Sequence, residues 1–352
     1  MGFNSPMENE KDIFKALTNA VGKAHKLEAE LSELKLIVLS DHHRGRGDGA
    51  DDFVICKDVY HNAIDYYREQ GHTLVLLGDI EEFWENTPKQ VMRTYEETLC
   101  KEAEFYADNR FVRVWGNHDD YWSFTDAVKQ HFDDIFPGLK VYEAVTLSMK
   151  DKGKTLGNIL MVHGHQGTLL SEKLGGFSRL MVRYVWRNIQ RLFHIASTTP
   201  STSVTLRSSL DEIMFNWANS FNNQIVICGH THDAIFMSSE EIYKLNKEIR
   251  GLKMLLRDKT LTPHRRTEIG EQIENLRNRI RHFKEMEPNM GGAENQKPVY
   301  FNTGCCSYSD GSITGIEICE GSIQLVEWSH DKQTDPFVIA ERDLRSIFTS
   351  GK

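Results

Sequence analysis

Five short segments hold the residues of this chain best suited to bind metal: Ser40-Asp41-His42-His43, Gly78-Asp79, Gly116-Asn117-His118-Asp119, His163-Gly164-His165 and Gly229-His230-Thr231-His232. Their donors are carboxylates, imidazoles and an amide, with no cysteine among them. Such donors suit Mn, Fe or Zn, and one carboxylate shared by two ions makes a binuclear centre. Two cations about 3.5–4 Å apart polarise phosphoryl oxygens and lower the pKa of a bound water from ~15.7 toward ~7, supplying hydroxide at neutral pH for in-line attack on phosphorus. That chemistry needs no protein nucleophile and no covalent phosphoenzyme.

Each segment follows a short apolar run: Leu36-Ile37-Val38-Leu39, Leu74-Val75-Leu76-Leu77, Phe111-Val112-Arg113-Val114-Trp115, Ile159-Leu160-Met161-Val162 and Ile225-Val226-Ile227-Cys228. Runs of this length, closed by turns, read as buried strands. Residues 54–70 and 91–107 have helical composition and separate the first three, giving a β-α-β-α-β order. Open α/β sheets present ligand groups beyond the C-terminal ends of their strands, so the five segments converge on one edge. Later, residues 312–319 and 322–328 alternate around Glu320-Gly321 as a hairpin. Before the first strand, Phe14, Leu17, Val21, Ala24 and Leu31 fall at helical spacing, so residues 1–34 are expected to form a helical extension.

In order and content, Asp41-x-His43, Gly78-Asp79, Gly116-Asn117-His118-Asp119, His163 and Gly229-His230-x-His232 resemble the five motifs of the calcineurin-like metallophosphoesterases. The resemblance implies an α/β fold, a four-layer α-β-β-α sandwich of two mixed sheets with helical insertions, here over residues 35–345. It implies two divalent metal ions, Mn, Fe or Zn. One would be held by Asp41, His43 and His232, the other by Asn117, His163 and His230, with Asp79 bridging them. His118 would stabilise phosphoryl charge or protonate the leaving oxygen, as suits an imidazole near neutral pH. Asp119 is expected to orient its ring. A lone Gly-Asp or His-Gly-His is usually a turn or a packing histidine; five motifs in order, each ending a strand, are not. His42 and His165 adjoin ligands and read as hydrogen-bonding or packing neighbours. Arg44 is expected to clamp phosphate, and Arg46 to pair with the acidic run at 48–52.

Two insertions carry the recognition signals. Residues 168–222 exceed the ~2–6 residues that usually join elements in compact α/β domains, and read as a helical lid. Within it Arg179, Arg183, Arg187 and Arg191 recur every fourth residue among apolar and aromatic neighbours. Arg179 and Arg183 are candidate substrate-binding residues, and residues 178–194 are either a lid helix with an apolar underside or a contact for an anionic membrane surface. Together with this lid, Gly78-Asp79-Ile80-Glu81-Glu82-Phe83-Trp84 partly resembles the bacterial UDP-2,3-diacylglucosamine pyrophosphatases of lipid A synthesis. Those enzymes carry Arg and Asp where this chain has His118 and His165. A phosphorylated small molecule or a nucleotide-linked compound is the expected substrate. In residues 239–290, Ile242, Leu245, Ile249, Leu252 and Leu256 face Ile269, Ile273, Leu276, Ile280 and Phe283 in alternating steps of three and four, predicting a helical hairpin. Its arms pack on each other, or residues 240–285 support oligomerisation.

Composition narrows the class. The chain has 352 residues, 39% hydrophobic and 26% charged, and no run approaches the ~18 apolar residues of a membrane span. The first residues lack a basic stretch followed by an apolar one, so the expected compartment is cytoplasmic, with peripheral membrane contact only through the lid. Six cysteines without a C-x-x-C pair read as reduced thiols. A net charge of -9 argues against nucleic-acid binding and a nuclease role. The alternative of another class is a non-catalytic metal-binding scaffold, against which the intact donor set and His118 count.

Overall fold

The computed structural model describes residues 6–166, 204–221, 223–236, 245, 248–249, 251–253, 255–256, 261–286, 299–330 and 334–349. The chain divides into two compact units, residues 1–234 with 299–352, and residues 235–298.

The larger unit is built on two mixed sheets. One is seven-stranded, in the order β13-β12-β11-β2-β3-β4-β5, with β2 (Leu36–Leu39), β3 (Thr73–Leu77), β4 (Phe111–Val114) and β5 (Val141–Tyr142) parallel. Against β2 runs the antiparallel meander β11 (Ile313–Cys319), β12 (Ser322–Trp328) and β13 (Phe337–Asp343). The second sheet is six-stranded, β1-β6-β7-β8-β10-β9, from β1 (His25–Glu30), β6 (Ala144–Asp151), β7 (Lys154–Val162), β8 (Gln224–Cys228), β9 (Ala234–Phe236) and β10 (Tyr300–Thr303). In it β7, β8 and β10 are parallel. All five apolar runs form strands, and β2 and β8 are buried at every position, as strands covered on both faces must be.

Helices cover the sheets. Against the first lie α2 (Lys57–Glu69), α3 (Pro88–Thr94), α4 (Glu96–Ala107) and α5 (Thr125–Phe132), whose apolar faces close a core containing Tyr60, Ile64, Leu99, Phe105, Phe132, Leu74 and Leu76. Against the second pack α1 (Pro6–Lys23), touching β6, and α6 (Val204–Asn219), touching β8 and β10. This is the expected α/β sandwich of two mixed sheets and helices.

Three local expectations change. The N-terminal helix stops at Lys23, and His25–Glu30 then pairs in parallel with β6, so residues 1–34 are not wholly helical. Its exposure pattern is that of a polar edge strand, which apolar periodicity does not reveal. Residues 91–107 belong to two helices rather than one. Tyr95 separates them; its ring packs on Phe53 and its hydroxyl donates to Asp51 at 2.6 Å. The interior strand β6 and the short or edge strands β5, β9 and β13 add to the sheets where the sequence reading named no run.

Among its described residues after Phe236, the smaller unit is mainly helical. Leu245 and Ile249 pack with Ile269, Ile273 and Leu276, the latter three on α7 (Pro263–Met286). Leu252 and Leu256 pack against the same cluster, while Ile242, Ile280 and Phe283 lie outside the residues whose side chains are described. The last described helix is α8 (Leu344–Thr349), which belongs to the larger unit. Among the described residues no helix is long and apolar enough to cross a membrane, and all six cysteines are free.

Candidate metal centre

Backbone conformation first sets the candidate ligands apart. Asp41, His43, Asp79, His230 and His232 have φ of 55°, 51°, 52°, 69° and 58°. Left-handed backbone costs an L-residue about 1–2 kcal/mol and is held only where the surroundings over-determine it. Here the loops are tied to each other. Asp41 N–H donates to Gly78 O at 3.1 Å, His43 N–H to Asp79 O at 3.0 Å and Gly229 N–H to His163 O at 3.0 Å. Gly116 and Gly78 permit the close approach. A Cβ on Gly116 would collide with the Asp79 carboxylate, and one on Gly78 (φ 86°) would meet the His163 ring at 2.6 Å.

Two triads result. Asp41, His43 and His232 bring one ligand atom each within 4.8 Å of one another, and so do Asp79, His163 and His230. In the first, Asp41 Oδ2 is fixed by the Ser40 hydroxyl and by the His230 N–H at 2.9 Å. Its Oδ1 is left with no hydrogen-bond partner, 3.2 Å from His232 Nε2 and 3.9 Å from His43 Nε2. The two Nε2 atoms lie 3.0 Å apart. In the second, His163 Nδ1–H donates to Leu77 O at 2.9 Å, which fixes the tautomer and frees Nε2 as a donor atom for metal. That Nε2 lies 3.0 Å from Asp79 Oδ2, which is also 4.0 Å from His43 Nε2 of the first triad.

Electrostatics agree with a cation site. Burial alone would raise Asp41, yet His232 and His163 outweigh it and hold its pKa at about 2. Asp79 is likewise held well below the carboxylate range, against burial, by His163, His118 and His43. Burial would lower His43 and His163, but the surrounding carboxylates and hydrogen bonds raise both to about 9. His230, buried beside His163, drops to about 3. A negative potential that draws protons onto two buried imidazoles also draws divalent cations, which compete for the same nitrogens.

The donor set fits such cations. Asp41 Oδ1, Asn117 Oδ1, His163 Nε2 and His230 Nε2 are all buried without hydrogen-bond partners. Two of them, His163 Nε2 and Asp41 Oδ1, lie within ion-pair distance of Asp79 and His232 respectively, and the four clustered oxygen and nitrogen donors together suit a divalent cation.

His118 stands beside the triads. Its backbone N–H donates to Asp79 Oδ1 at 2.8 Å, its ring stacks on Trp84 at 3.8 Å, and its Nδ1 lies 2.6 Å from Glu82 Oε2. The same oxygen is 3.2 Å from His43 Nδ1. Glu82, held at about 2 by His118 and His43 against burial, therefore orients both rings. Asp119, expected in that role, does not take it. Its carboxylate accepts the backbone N–H groups of Gly116, Ile80 and Asp79 at 2.6, 3.0 and 3.3 Å, pinning the loop after β4 to the loop after β3. Burial, Glu81 and Asp79 push it up to about 7.

Arg44 is also corrected. Its guanidinium is fully buried, paired with Glu102 and lying 5.0 Å from the Phe53 ring and 5.2 Å from the Tyr60 ring. It braces α2 and α4 rather than reaching a phosphate. Arg46 pairs with Asp48, as expected. His42 packs against Phe53 and Tyr60, and burial with Arg44 and Arg113 nearby keeps it neutral. His165 packs among Trp115, His163 and His230. Asn302 and Thr303 buttress the ligand loops, through Asn302 Nδ2 to Gly229 O at 2.8 Å and Thr303 Oγ1 to Ser40 Oγ at 2.6 Å. Arg179 and Arg183 lie outside the described residues.

Glu82 is the residue that sequence reasoning missed. Glu81 and Glu82 are adjacent and chemically alike. Glu81 turns into the core to pair with Arg113 and accept from Trp122 Nε1, and Glu82 turns to the histidines.

Residues 34–234 match the family model described as calcineurin-like phosphoesterase. No curated protein matches the chain.

Proposed function

Because this chain belongs to the calcineurin-like phosphoesterases, and so is a metal-dependent phosphoester hydrolase, we propose that it works through a binuclear centre on a phosphate ester or pyrophosphate. Asp41, His43 and His232 would hold one cation and Asn117, His163 and His230 the other, with Asp79 in reach of both sets. The observation that carries this reading is the pair of triads with Asp79 Oδ2 in reach of both. When bound, the two cations supply charge for the phosphoryl oxygens and an acidified water.

The protein's own groups do the rest. His163 and His43 present Nε2 because Leu77 O and Glu82 hold their Nδ1 atoms. His118, with Nδ1 engaged by Glu82, keeps Nε2 for the substrate. It donates to the phosphoryl group or protonates the leaving oxygen. Trp84 fixes its ring plane. Of the expected lid, residues 168–222, the helix α6 packs on the second sheet instead, so the segment before it, with Arg179 and Arg183, selects the non-phosphate half of the substrate.

The test is hydrolysis of a panel of aryl phosphates, nucleotide sugars and acylated nucleotide sugars by metal-loaded protein, alongside metal analysis. Turnover lost on chelation and restored by Mn, Fe or Zn supports the reading. Conversion of the acylated nucleotide sugars alone would favour the lipid A type of substrate. Metal-loaded protein inert on every class would favour a non-catalytic scaffold.

A further inference from the structure

A second group of metal-type donors lies at the opposite end of the seven-stranded sheet. His72 immediately precedes β3, whereas Asp79 follows it, and the five residues between Thr73 and Leu77 span on the order of 17 Å at ~3.3 Å per residue. Glu317 and Cys319 stand two apart on β11 and so project from the same face of the sheet. One ligand atom each from His72, Glu317 and Cys319 falls within 4.8 Å of the other two.

We propose that His72, Glu317 and Cys319 form a separate cation site suited to zinc. The independent observation is the His72 ring. It is 2% exposed, and neither nitrogen makes a hydrogen bond, although Nε2 faces Glu317 Oε1 at ion-pair distance. His42 is likewise unbonded at both nitrogens but belongs to no donor group among the described residues, whereas His72 does, and leaving a buried nitrogen unmatched costs about 1–3 kcal/mol. Glu317 is already oriented: Tyr67 O–H donates to its Oε2 at 3.0 Å, leaving Oε1 3.2 Å from His72 Nε2. That spacing suits shared coordination. Bonds of ~2.0–2.1 Å from nitrogen and oxygen to a tetrahedral zinc give an N···O edge of roughly 3.3 Å.

The sulfur decides the metal class. A thiolate with an imidazole and a carboxylate selects zinc over Mn or Mg, in contrast to the thiol-free triads at the catalytic edge. Binding forms the zinc–sulfur bond as the Cys319 thiol releases its proton to solvent. Three protein ligands leave the fourth position to water. The ion would tie the start of β3 to the end of β11, across the intervening β2.

Cobalt(II) reads this site selectively, because only a thiolate ligand gives a sulfur-to-cobalt charge-transfer band in the near ultraviolet. Full-length protein loaded with Mn(II) would be titrated with Co(II). The expected result is one equivalent of cobalt developing the band, which zinc then bleaches. Cys319→Ser should abolish it and His72→Gln should remove it at equimolar cobalt, while Cys100→Ser, at an exposed thiol, should leave it intact. Far-UV circular dichroism and thermal melting establish that each variant is folded. Absence of the band in the unsubstituted protein, or its survival in folded Cys319→Ser, would overturn the proposal.

Discussion

Glu82 Oε2 lies 2.6 Å from His118 Nδ1, and this one contact links the candidate acid to the candidate metal site, because His43 Nδ1 shares the same oxygen at 3.2 Å. Glu82→Gln keeps the shape but removes the charge that fixes both tautomers. Outer partners of this kind are worth about 10–100-fold in activity or metal affinity. The substitution should lower kcat by about that factor and weaken metal retention at the His43 triad, with Glu82→Asp recovering part of both. Steady-state kinetics paired with metal analysis checks it; unchanged kcat and metal content would remove Glu82 from the site.

Asp79→Ala should release metal and abolish hydrolysis together, since the residue lies in reach of both triads. The same loss should follow chelation of the unsubstituted protein, reversibly on adding back divalent cation. An Asp79→Ala protein that retained both metal and full turnover would sink the binuclear reading.

Metal-free protein should lose stability as pH rises from about 6.5 to 9. His43 and His163 both have folded-state pKa values raised from 6.5 to about 9. A raised imidazole contributes stability that is complete below its unfolded pKa and is lost as pH climbs through the folded value. Metal binding needs these rings neutral, so cation affinity should rise across the same window and protons should be released on loading. Calorimetric melts of chelated and loaded protein between pH 6 and 9.5 should therefore diverge, and parallel curves would count against the assignment.

Gly116→Ala places a methyl group against the Asp79 carboxylate. Overpacking costs about 1–3 kcal/mol, and here the neighbour that must yield is the carboxylate between the two triads. Both the melting temperature and the metal content should fall. Gly251→Ala, where a Cβ meets nothing within 4 Å, serves as the control.

Arg44→Ala tests the corrected role of that residue. Breaking a fully buried ion pair leaves Glu102 uncompensated, at about 3–5 kcal/mol. Denaturant unfolding should show a loss of that size with KM for an aryl phosphate unchanged in the protein that remains folded. A raised KM without loss of stability would restore the phosphate clamp.

The strands and the loop segments after them were legible because buried strands leave apolar runs, and because Asp41, His43, Asp79, Asn117, His163, His230 and His232 stand directly behind such runs. The edge strand β1 was not, since an edge strand facing solvent keeps a polar face and loses the apolar signal. Asp119 and Arg44 misled for a shared reason. Each directly follows a candidate site residue, Asp119 after His118 and Arg44 after His43, but a residue next to a site residue in a tight loop often points away from it. Asp119 binds backbone amides, and Arg44 enters the core beneath α2 and α4.

By itself the sequence determined the donor chemistry, the order of the strands that carry it and hence the family, because residue type and period survive without coordinates. Only the tertiary structure decided which neighbours serve those donors. The left-handed backbone at five of the candidate ligands and the choice of Glu82 over Asp119 beside His118 depend on contacts between loops from different strands. Such contacts are set by sheet register and by side-chain direction at single positions. No local pattern records either, as adjacent Glu81 and Glu82 show by facing Arg113 and His118.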